Sequence, residues 1–378
     1  MYKLKKIKIS GFRRLLAVDL EIRPFMVLIG ANGVGKTSFL DALGFLSASA
    51  SGALNNTLSQ FGGISNILTR GKAEELSFFV EVDVPRHSPL EYDLSLTTKG
   101  IGYAISKETL MQRKLSELYR YIDSSDGNIR YAQPSSMLGW GHHNAQETSL
   151  AQAPNMMFQE PEELKKILST ATQYHILDVG PRAPIKLPQQ LMPATLPGVE
   201  GETLVPYLYN LRECNKDIFD MLLDSLRAAF SDFEDLSFPP VAAGMLAMTW
   251  KDAKFNRPLY AHELSEGTLR FLWLASLLQS PNLPAITMID EPEVSLHPEL
   301  LNILSELMRE ASKRTHLIVA THSDRLVRFL KPEEVVVMDM DEEGCASATW
   351  ADTMDLDEWL TEYSLDEVWQ MGRMGGRS

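Results

Sequence analysis

The sequence predicts an α/β protein with a mixed sheet, an antiparallel β lobe and a helical insertion. Three observations support this prediction. A glycine-rich loop follows a short apolar strand at residues 26–29 and precedes a helix. Apolar strands alternate with helices after residue 241, which is typical of a parallel sheet. Period-two alternation between residues 76 and 105 is typical of antiparallel strands.

The composition is that of an ordinary globular chain. The 378 residues are 44% hydrophobic and 23% charged, which predicts about two domains, or one domain with a large insertion. No apolar run approaches the roughly 20 residues of a membrane span, and the N-terminus lacks a signal-peptide core. We therefore expect a cytoplasmic protein without a membrane partner. Cys214 and Cys345 match no metal-site spacing and are expected to be packing residues in a reducing compartment.

The net charge of −14 argues against a protein that coats nucleic acid indiscriminately. A local basic cluster nevertheless lies at the N-terminus: Lys3, Lys5, Lys6, Lys8, Arg13 and Arg14. Alternation with apolar residues in this segment predicts a strand with a solvated basic face. Contact of the basic residues with a nucleotide or a nucleic acid is the alternative.

The chain divides into four predicted regions. Residues 1–105 form an N-terminal lobe, 106–200 a partly flexible insertion, 201–350 a C-terminal lobe and 351–378 an acidic helical tail. Within the insertion, a helix is expected over residues 109–121 and a mobile or partly disordered loop over 124–161. His142 and His143 lie in that loop without a carboxylate or cysteine at metal-ligand spacing.

Residues 30–37, GANGVGKT, satisfy each fixed position of the P-loop pattern. The candidate nucleotide-binding residues are Gly30, Asn32, Gly33, Gly35, Lys36, Thr37 and Ser38. The glycines let backbone N–H groups turn toward an anion, and the following helix adds a favourable dipole. The Lys36 ammonium then reaches the terminal phosphates and the Thr37 hydroxyl ligates Mg²⁺. The sequence predicts binding of a nucleoside triphosphate, with a purely structural turn as the alternative.

Two buried strands end in polar residues. Asp290 and Glu291 follow the strand at 285–289, and His322 follows the strand at 316–320. One carboxylate is suited to orient Mg²⁺ and the other to activate the attacking water. The histidine is suited to contact the γ-phosphate or that water. The alternatives are an acidic pair that begins a turn and a structural histidine.

These motifs, in this order, resemble ABC-type AAA ATPases of the RecF/SMC/OLD-like group. Residues 264–268 (LSEGT) resemble the signature motif, and 290–298 resemble the Walker B motif and D-loop. Residues 321–323 resemble the switch histidine, and 9–13 the first strand of RecF and SMC heads. The resemblance extends to standalone bacterial ATPases related to the ATPase parts of Septu, Gabija and OLD-type defence proteins.

The resemblance implies a P-loop NTPase of ABC/SMC-head type that hydrolyses ATP to ADP and phosphate. In such proteins the signature of one subunit closes over ATP held by another, which implies an ATP-dependent homodimer. The implied roles are phosphate binding by Lys36, Mg²⁺ binding by Thr37 and Asp290, general base for Glu291, sensor for His322, and γ-phosphate contact in trans for Ser265 and Gly267. A plain N-cap is the alternative for Ser265. Gln60 is the candidate for the family's Q-loop residue.

The resemblance further implies a sensor or scaffold for a separately encoded effector or a nucleic acid, in antiphage defence or DNA repair. An ABC transporter ATPase subunit is one alternative, disfavoured by Glu266 and Thr268, where transporters usually have Gly and Gln. A non-hydrolysing, ATP-dependent assembly module is the other, disfavoured by the intact acidic pair and histidine. Asp339 and Asp341 superficially resemble a nuclease acidic pair but are expected to lie in a turn.

Overall fold

The computed structural model describes residues 3–114, 117–125, 128–133, 136–139, 144–153 and 158–375. The first elements are β1 (Lys3–Phe12), β2 (Leu15–Glu21), β3 (Phe25–Ile29), α1 (Lys36–Ser51), α2 (Leu54–Gln60), α3 (Ile64–Ile67), β4 (Glu75–Asp83), β5 (Leu90–Lys99), β6 (Gly102–Lys114), β7 (Glu117–Ser125), β8 (Asn128–Gln133) and β9 (Ser136–Gly139). The middle elements are α4 (Ser149–Gln152), α5 (Gln159–Ser169), β10 (Thr172–Tyr174), β11 (Gln189–Gln190), α6 (Leu204–Cys214), α7 (Lys216–Ala229), β12 (Phe233–Ser237), β13 (Met245–Leu246), β14 (Thr249–Asp252) and β15 (Leu259–Tyr260). The last elements are α8 (Glu266–Leu278), β16 (Ile286–Asp290), α9 (Pro298–Ser312), β17 (His316–Ala320), α10 (Asp324–Val327), β18 (Val335–Met340), β19 (Ala346–Trp350), α11 (Asp357–Leu360) and α12 (Leu365–Gln370).

A six-stranded sheet with the order β10-β16-β17-β3-β18-β19 carries the motifs. Its first five strands are parallel, and β19 closes the edge as the antiparallel partner of β18. Ile289 lies opposite Val319, and Val319 lies opposite Val27. The carboxyl ends of β16, β17 and β3 therefore meet at one edge, where a parallel sheet places its ligands.

The two faces of this sheet are covered differently. On β3, Val27 and Ile29 join a core made with α6 to α9, whereas Met26 and Leu28 join a core made with α1 and the antiparallel lobe. All four side chains are fully buried. Burial on both faces explains why β3 is a continuous apolar run without alternation. Among the described residues, no helix is both long and apolar enough to cross a membrane.

The antiparallel lobe is an eight-stranded sheet with the order β2-β1-β4-β5-β6-β7-β8-β9. The N-terminal lysines lie on its outer face and pair with acids of the neighbouring strands. Lys5 Nζ lies 2.8 Å from Glu81, and Lys6 Nζ lies 2.9 Å from Asp19. The prediction of a strand with a solvated basic face is therefore confirmed.

The helix predicted over residues 109–121 was wrong, because this segment forms β6 and β7. Leu110 is buried between the buried polar side chains Glu108 and Gln112, so the alternation that marks a strand is hidden. The polar stretch 124–161, expected as a loop, contributes β8, β9 and α4. The antiparallel sheet therefore continues beyond residue 105. His142 and His143 lie outside the described residues.

Other differences concern boundaries. The helical pattern at 202–233 forms two helices, α6 and α7, and the strand expected at 242–250 is divided between β13 and β14. The tail contains the short helices α11 and α12. Asp341 opens the hairpin turn between β18 and β19, as expected, whereas Asp339, also expected in a turn, lies within β18 opposite Ser347. Cys345 is buried, whereas Cys214 is exposed and is not a packing residue.

Glu108 fastens the N-terminus of α4 to the antiparallel sheet. Its carboxylate accepts hydrogen bonds from the Tyr92 hydroxyl at 3.0 Å and from the backbone N–H groups of Ser149 and Leu150 at 2.5 and 2.7 Å. Burial raises the pKa of Glu108, while these donors stabilise the charged form. A buried acid of this kind is stabilising only while its donors remain paired.

We expect Glu108→Ala to lower the free energy of unfolding by about 3 kcal/mol, because it leaves a hydroxyl and two buried N–H groups without an acceptor. The control is Glu91→Ala on the exposed side of β5, which should change it by less than about 0.5 kcal/mol. Chemical unfolding followed by circular dichroism measures both. Equal effects of the two substitutions would contradict the role of Glu108.

Candidate nucleotide-binding site

The P-loop connects the end of β3 to the start of α1. Gly30 has a φ of 146°, and a Cβ there would lie 2.3 Å from the carbonyl oxygen of Met338 on β18, so only glycine fits. Gly33 and Gly35 also have positive φ values, of 80° and 116°. Asn32 lies exposed in the loop, and Ser38 lies in the first turn of α1. The first N–H groups of a helix have no intrahelical acceptor, so this turn is suited to bind phosphate.

Lys36 lies at the first position of α1 and is only 4% exposed. Its Nζ donates hydrogen bonds to the carbonyl oxygens of Gly30 at 2.7 Å and Ala31 at 2.9 Å. Burial lowers the pKa of Lys36 to about 8, and the carboxylates of Asp290, Glu291 and Glu293 oppose this shift. The Lys36 ammonium is thus held inside the P-loop by two carbonyl oxygens, and the carboxylates at the sheet edge favour its charged form.

Thr37 and Asp290 form the predicted metal pair. The Thr37 hydroxyl donates a hydrogen bond to Asp290 Oδ2 at 3.4 Å. Burial raises the pKa of Asp290, and the neighbouring Glu291 adds to the shift. A hydroxyl and a carboxylate are hard oxygen donors of the kind that Mg²⁺ accepts beside phosphates and water. Among the described residues, no group of three His, Cys, Asp or Glu side chains is placed to hold a metal. The pair therefore fits a Mg²⁺ ion that is shared with phosphates.

Glu291 and His322 lie beside Lys36. The Glu291 backbone has a φ of 51°, and its N–H donates to the carbonyl of Ala320 at 2.8 Å. His322 Nδ1 lies 3.1 Å from Lys36 Nζ, and Nε2 lies 3.5 Å from Glu291 Oε1. Burial and the Lys36 charge lower the pKa of His322, which favours the neutral ring. Since Nδ1 then accepts from Lys36, the proton lies on Nε2 and points toward Glu291.

Ser265 and Gly267 begin α8. Ser265 Oγ accepts from the Thr268 N–H at 3.1 Å, so Ser265 is an N-cap, as its alternative interpretation stated. A Cβ on Gly267 would lie 2.6 Å from the carbonyl oxygen of Ser295, so α8 packs closely on the 291–295 loop. Arg270 fastens this contact with a 2.7 Å hydrogen bond to Ser295 Oγ. Within the described residues, no hydrogen bond joins Ser265 or Gly267 to the P-loop.

The structure adds His175, which the sequence did not indicate. β10 pairs in parallel with β16, and Tyr174 lies opposite Ile289. His175 therefore leaves the sheet beside Asp290, where a protonated ring would oppose the rise that burial causes in the pKa of that carboxyl. Gln60, the Q-loop candidate, instead ends α2. Because β10 has only three residues, it leaves no periodicity that a sequence could reveal.

Glu293 is a second addition. It follows the acidic pair, but no role was assigned to it. Oε1 accepts a hydrogen bond from the Thr321 hydroxyl at 2.5 Å. Burial raises the pKa of Glu293, and the Thr321 hydrogen bond opposes the shift. The site therefore contains three carboxylates near Lys36.

Comparison with solved structures supports the fold. The Smc head bound to the C-winged helix domain of ScpA aligns with a TM-score of 0.53 and 14% identity, covering 92% of this chain and 97% of that one. The Smc head with an extended coiled coil from Pyrococcus furiosus aligns with a TM-score of 0.53 and 12% identity, covering 96% and 100%. The chain has the fold of a P-loop NTPase of SMC-head type.

Curated relatives match over a shorter stretch. The DNA replication and repair protein RecF of Glaesserella parasuis is 36% identical over 85 residues, which are 22% of this chain and 21% of RecF. RecF of Actinobacillus pleuropneumoniae is 30% identical over 105 residues, which are 28% and 26%. The alignments thus span only about a quarter of RecF or less.

A family model covers much more of the chain. It is described as "AAA domain, putative AbiEii toxin, Type IV TA system" and matches residues 25–328. This range includes the P-loop, residues 264–268, the acidic pair Asp290 and Glu291, and His322. The chain therefore belongs to this family of AAA-domain P-loop proteins.

Proposed function

We propose that the protein binds ATP with Mg²⁺ at this site, hydrolyses it to ADP and phosphate, and dimerises around it. One observation carries the proposal. His322 lies between Lys36 and Glu291, at 3.1 and 3.5 Å, at the carboxyl edge of the parallel sheet beside the Thr37–Asp290 pair. A phosphate binder, a metal pair, a base and a sensor are the parts that phosphoryl transfer to water requires.

Each residue has a task that follows from its position. The Lys36 ammonium exchanges the carbonyls of Gly30 and Ala31 for phosphate oxygens, and the P-loop N–H groups bind the remaining charge. Thr37 and Asp290 hold Mg²⁺, which neutralises charge on the phosphates when bound. Glu291 accepts the proton of the attacking water. Once Lys36 turns to the phosphates, the unprotonated Nδ1 of His322 is free to accept a hydrogen bond from that water, whereas contact with the γ-phosphate would need a proton on this nitrogen.

In the proposed dimer, the N-terminus of α8 of one subunit covers the ATP that is bound to the P-loop of the other. Ser265 and the neighbouring Glu266 are exposed at the N-terminus of α8, where the helix dipole favours an anion. A P-loop with bound ATP on another subunit would present the γ-phosphate to this surface. Hydrolysis would then be slow and gated by association.

The dimer is proposed to act as a sensor or scaffold for a separately encoded effector or a nucleic acid. Two comparisons support this role. The family description names a toxin of a type IV toxin–antitoxin system, and the RecF relatives are named DNA replication and repair proteins. DNA repair is the setting that agrees with the RecF name, and antiphage defence is proposed from the resemblance of the motifs to defence ATPases.

We expect Lys36→Ala to abolish ATP binding, because it removes the cation that faces the phosphates. Isothermal titration calorimetry measures this loss.

Glu291→Gln should bind ATP like the wild type but hydrolyse it at least about 100-fold more slowly, since the amide accepts no proton. Addition of Mg-ATP should double the solution mass of Glu291→Gln, measured by light scattering. The release of phosphate measures the rate of hydrolysis, and isothermal titration calorimetry measures the binding of ATP.

Glu299→Gln, at the exposed start of α9, is the matched control and should keep wild-type turnover. Equal turnover in Glu291→Gln would contradict the assignment of the base. If Glu291→Gln stays a monomer with Mg-ATP, another protein or a nucleic acid covers the bound ATP in place of a second subunit.

We also expect ATP affinity to fall at alkaline pH. The free protein loses the Lys36 proton near pH 8, and bound phosphates favour the charged form, so binding takes up a proton above this pH. The dissociation constant of a non-hydrolysable ATP analogue should be flat near pH 7 and rise toward about tenfold per pH unit above pH 8. Lys36→Arg should remove this rise because the guanidinium stays charged. A pH-independent wild-type constant would refute the depressed pKa.

A further inference from the structure

Glu293 is a partly buried acid to which the proposed mechanism gives no task. It lies on the 291–295 loop, which connects β16 to α9. Its Oε2 is buried and has no hydrogen-bond partner among the described residues. A desolvated carboxylate oxygen without a donor costs free energy, so packing does not explain a glutamate here. Such groups are typical of functional sites.

The other oxygen of Glu293 reaches the loop that carries the switch histidine. Oε1 accepts from the Thr321 hydroxyl at 2.5 Å and from the His322 backbone N–H at 3.4 Å. Thr321 is fully buried, and its hydroxyl also accepts from the Ser323 N–H at 3.0 Å. One carboxylate oxygen therefore holds Thr321 and His322 directly, and Ser323 is held through the Thr321 hydroxyl.

The 291–295 loop is itself held in place. Its two ends, Glu291 and Ser295, both have positive φ values, of 51° and 63°. The Glu291 N–H is bonded to Ala320, and the Ser295 hydroxyl is bonded to Arg270 on α8. Glu293 lies between these two anchors. The carboxylate is thus presented to the 321–323 segment from a backbone that has little freedom.

We propose that Glu293 is a positioning residue that sets where the His322 ring stands relative to Lys36 and Glu291. The inference rests on the proposed hydrolysis for its catalytic consequence. Glu293 touches the backbone and neighbour of His322, whereas His322 touches the lysine and the base at 3.1 and 3.5 Å. Loss of the Glu293 contact releases the ring from this geometry. Among the described residues no hydrogen bond joins Glu293 to the P-loop, and its carboxylate acts on Lys36 through its charge.

The test compares substitutions on both sides of the contact. Glu293→Gln keeps a carbonyl oxygen at the Oε1 position and should stay within about twofold of the wild-type kcat. Glu293→Ala and the isosteric Thr321→Val should each lower kcat about tenfold with KM nearly unchanged, since small misplacements at a reacting centre have effects of this order. The double variant should be no slower than Glu293→Ala alone, because both changes remove one interaction.

A second measurement needs no turnover. The ring resonance of His322, identified by its loss in His322→Gln, should shift in Glu293→Ala and Thr321→Val and stay in place in Glu293→Gln. An unshifted resonance in both disruptive variants overturns the inference, as does a wild-type kcat in Glu293→Ala. If the wild type hydrolyses no ATP, the proposed function fails, and the resonance still decides whether Glu293 positions His322.

Discussion

The buried ammonium of Lys36 is the charge on which the arrangement of the site depends. Removing such a group from water costs several kcal/mol unless acceptors and opposite charges replace the solvent. Two carbonyls of the P-loop do this locally, and the carboxylates at the end of β16 do it across the sheet edge. The acids reach Lys36 only because β3 and β16 are parallel and separated by one strand. The burial of the Lys36 charge therefore requires the strand order that brings these carboxylates near it.

Most of this edge could be predicted from the sequence because its signals are local. The P-loop pattern specifies a strand, a turn and a helix, and the buried strands before Asp290 and His322 are apolar runs that end in polar residues. Parallel strands place such ends together. Lys36, Asp290, Glu291 and His322 were each identified in this way, and the structure brings them into contact or close to it.

The insertion was harder to predict because its core is partly polar. Gln112 on β6 is buried and paired with the Ser88 carbonyl at 2.7 Å and the Tyr121 hydroxyl at 2.9 Å. Polar residues at inward positions cancel the hydrophobic alternation of a strand, while Leu, Met, Lys and Glu in the same stretch favour a helix. His175 was missed for a different reason. It follows β10, a strand that is formed by pairing with β16, and such a long-range contact leaves no pattern in the local sequence.

Residues 147–150 connect the C-terminal end of α1 to the antiparallel lobe. The Thr148 hydroxyl donates to the carbonyl of Ser49 near the end of α1 at 2.7 Å, and Glu147 accepts from the N–H of Leu54 just beyond it at 3.0 Å. Glu108 holds the next residues on β6. α1 spans about 24 Å at 1.5 Å per residue, with the P-loop at one end and this attachment at the other. One continuous helix thus joins the P-loop to β6, so the start of α1 and the anchored residues 147–150 are held at a fixed separation.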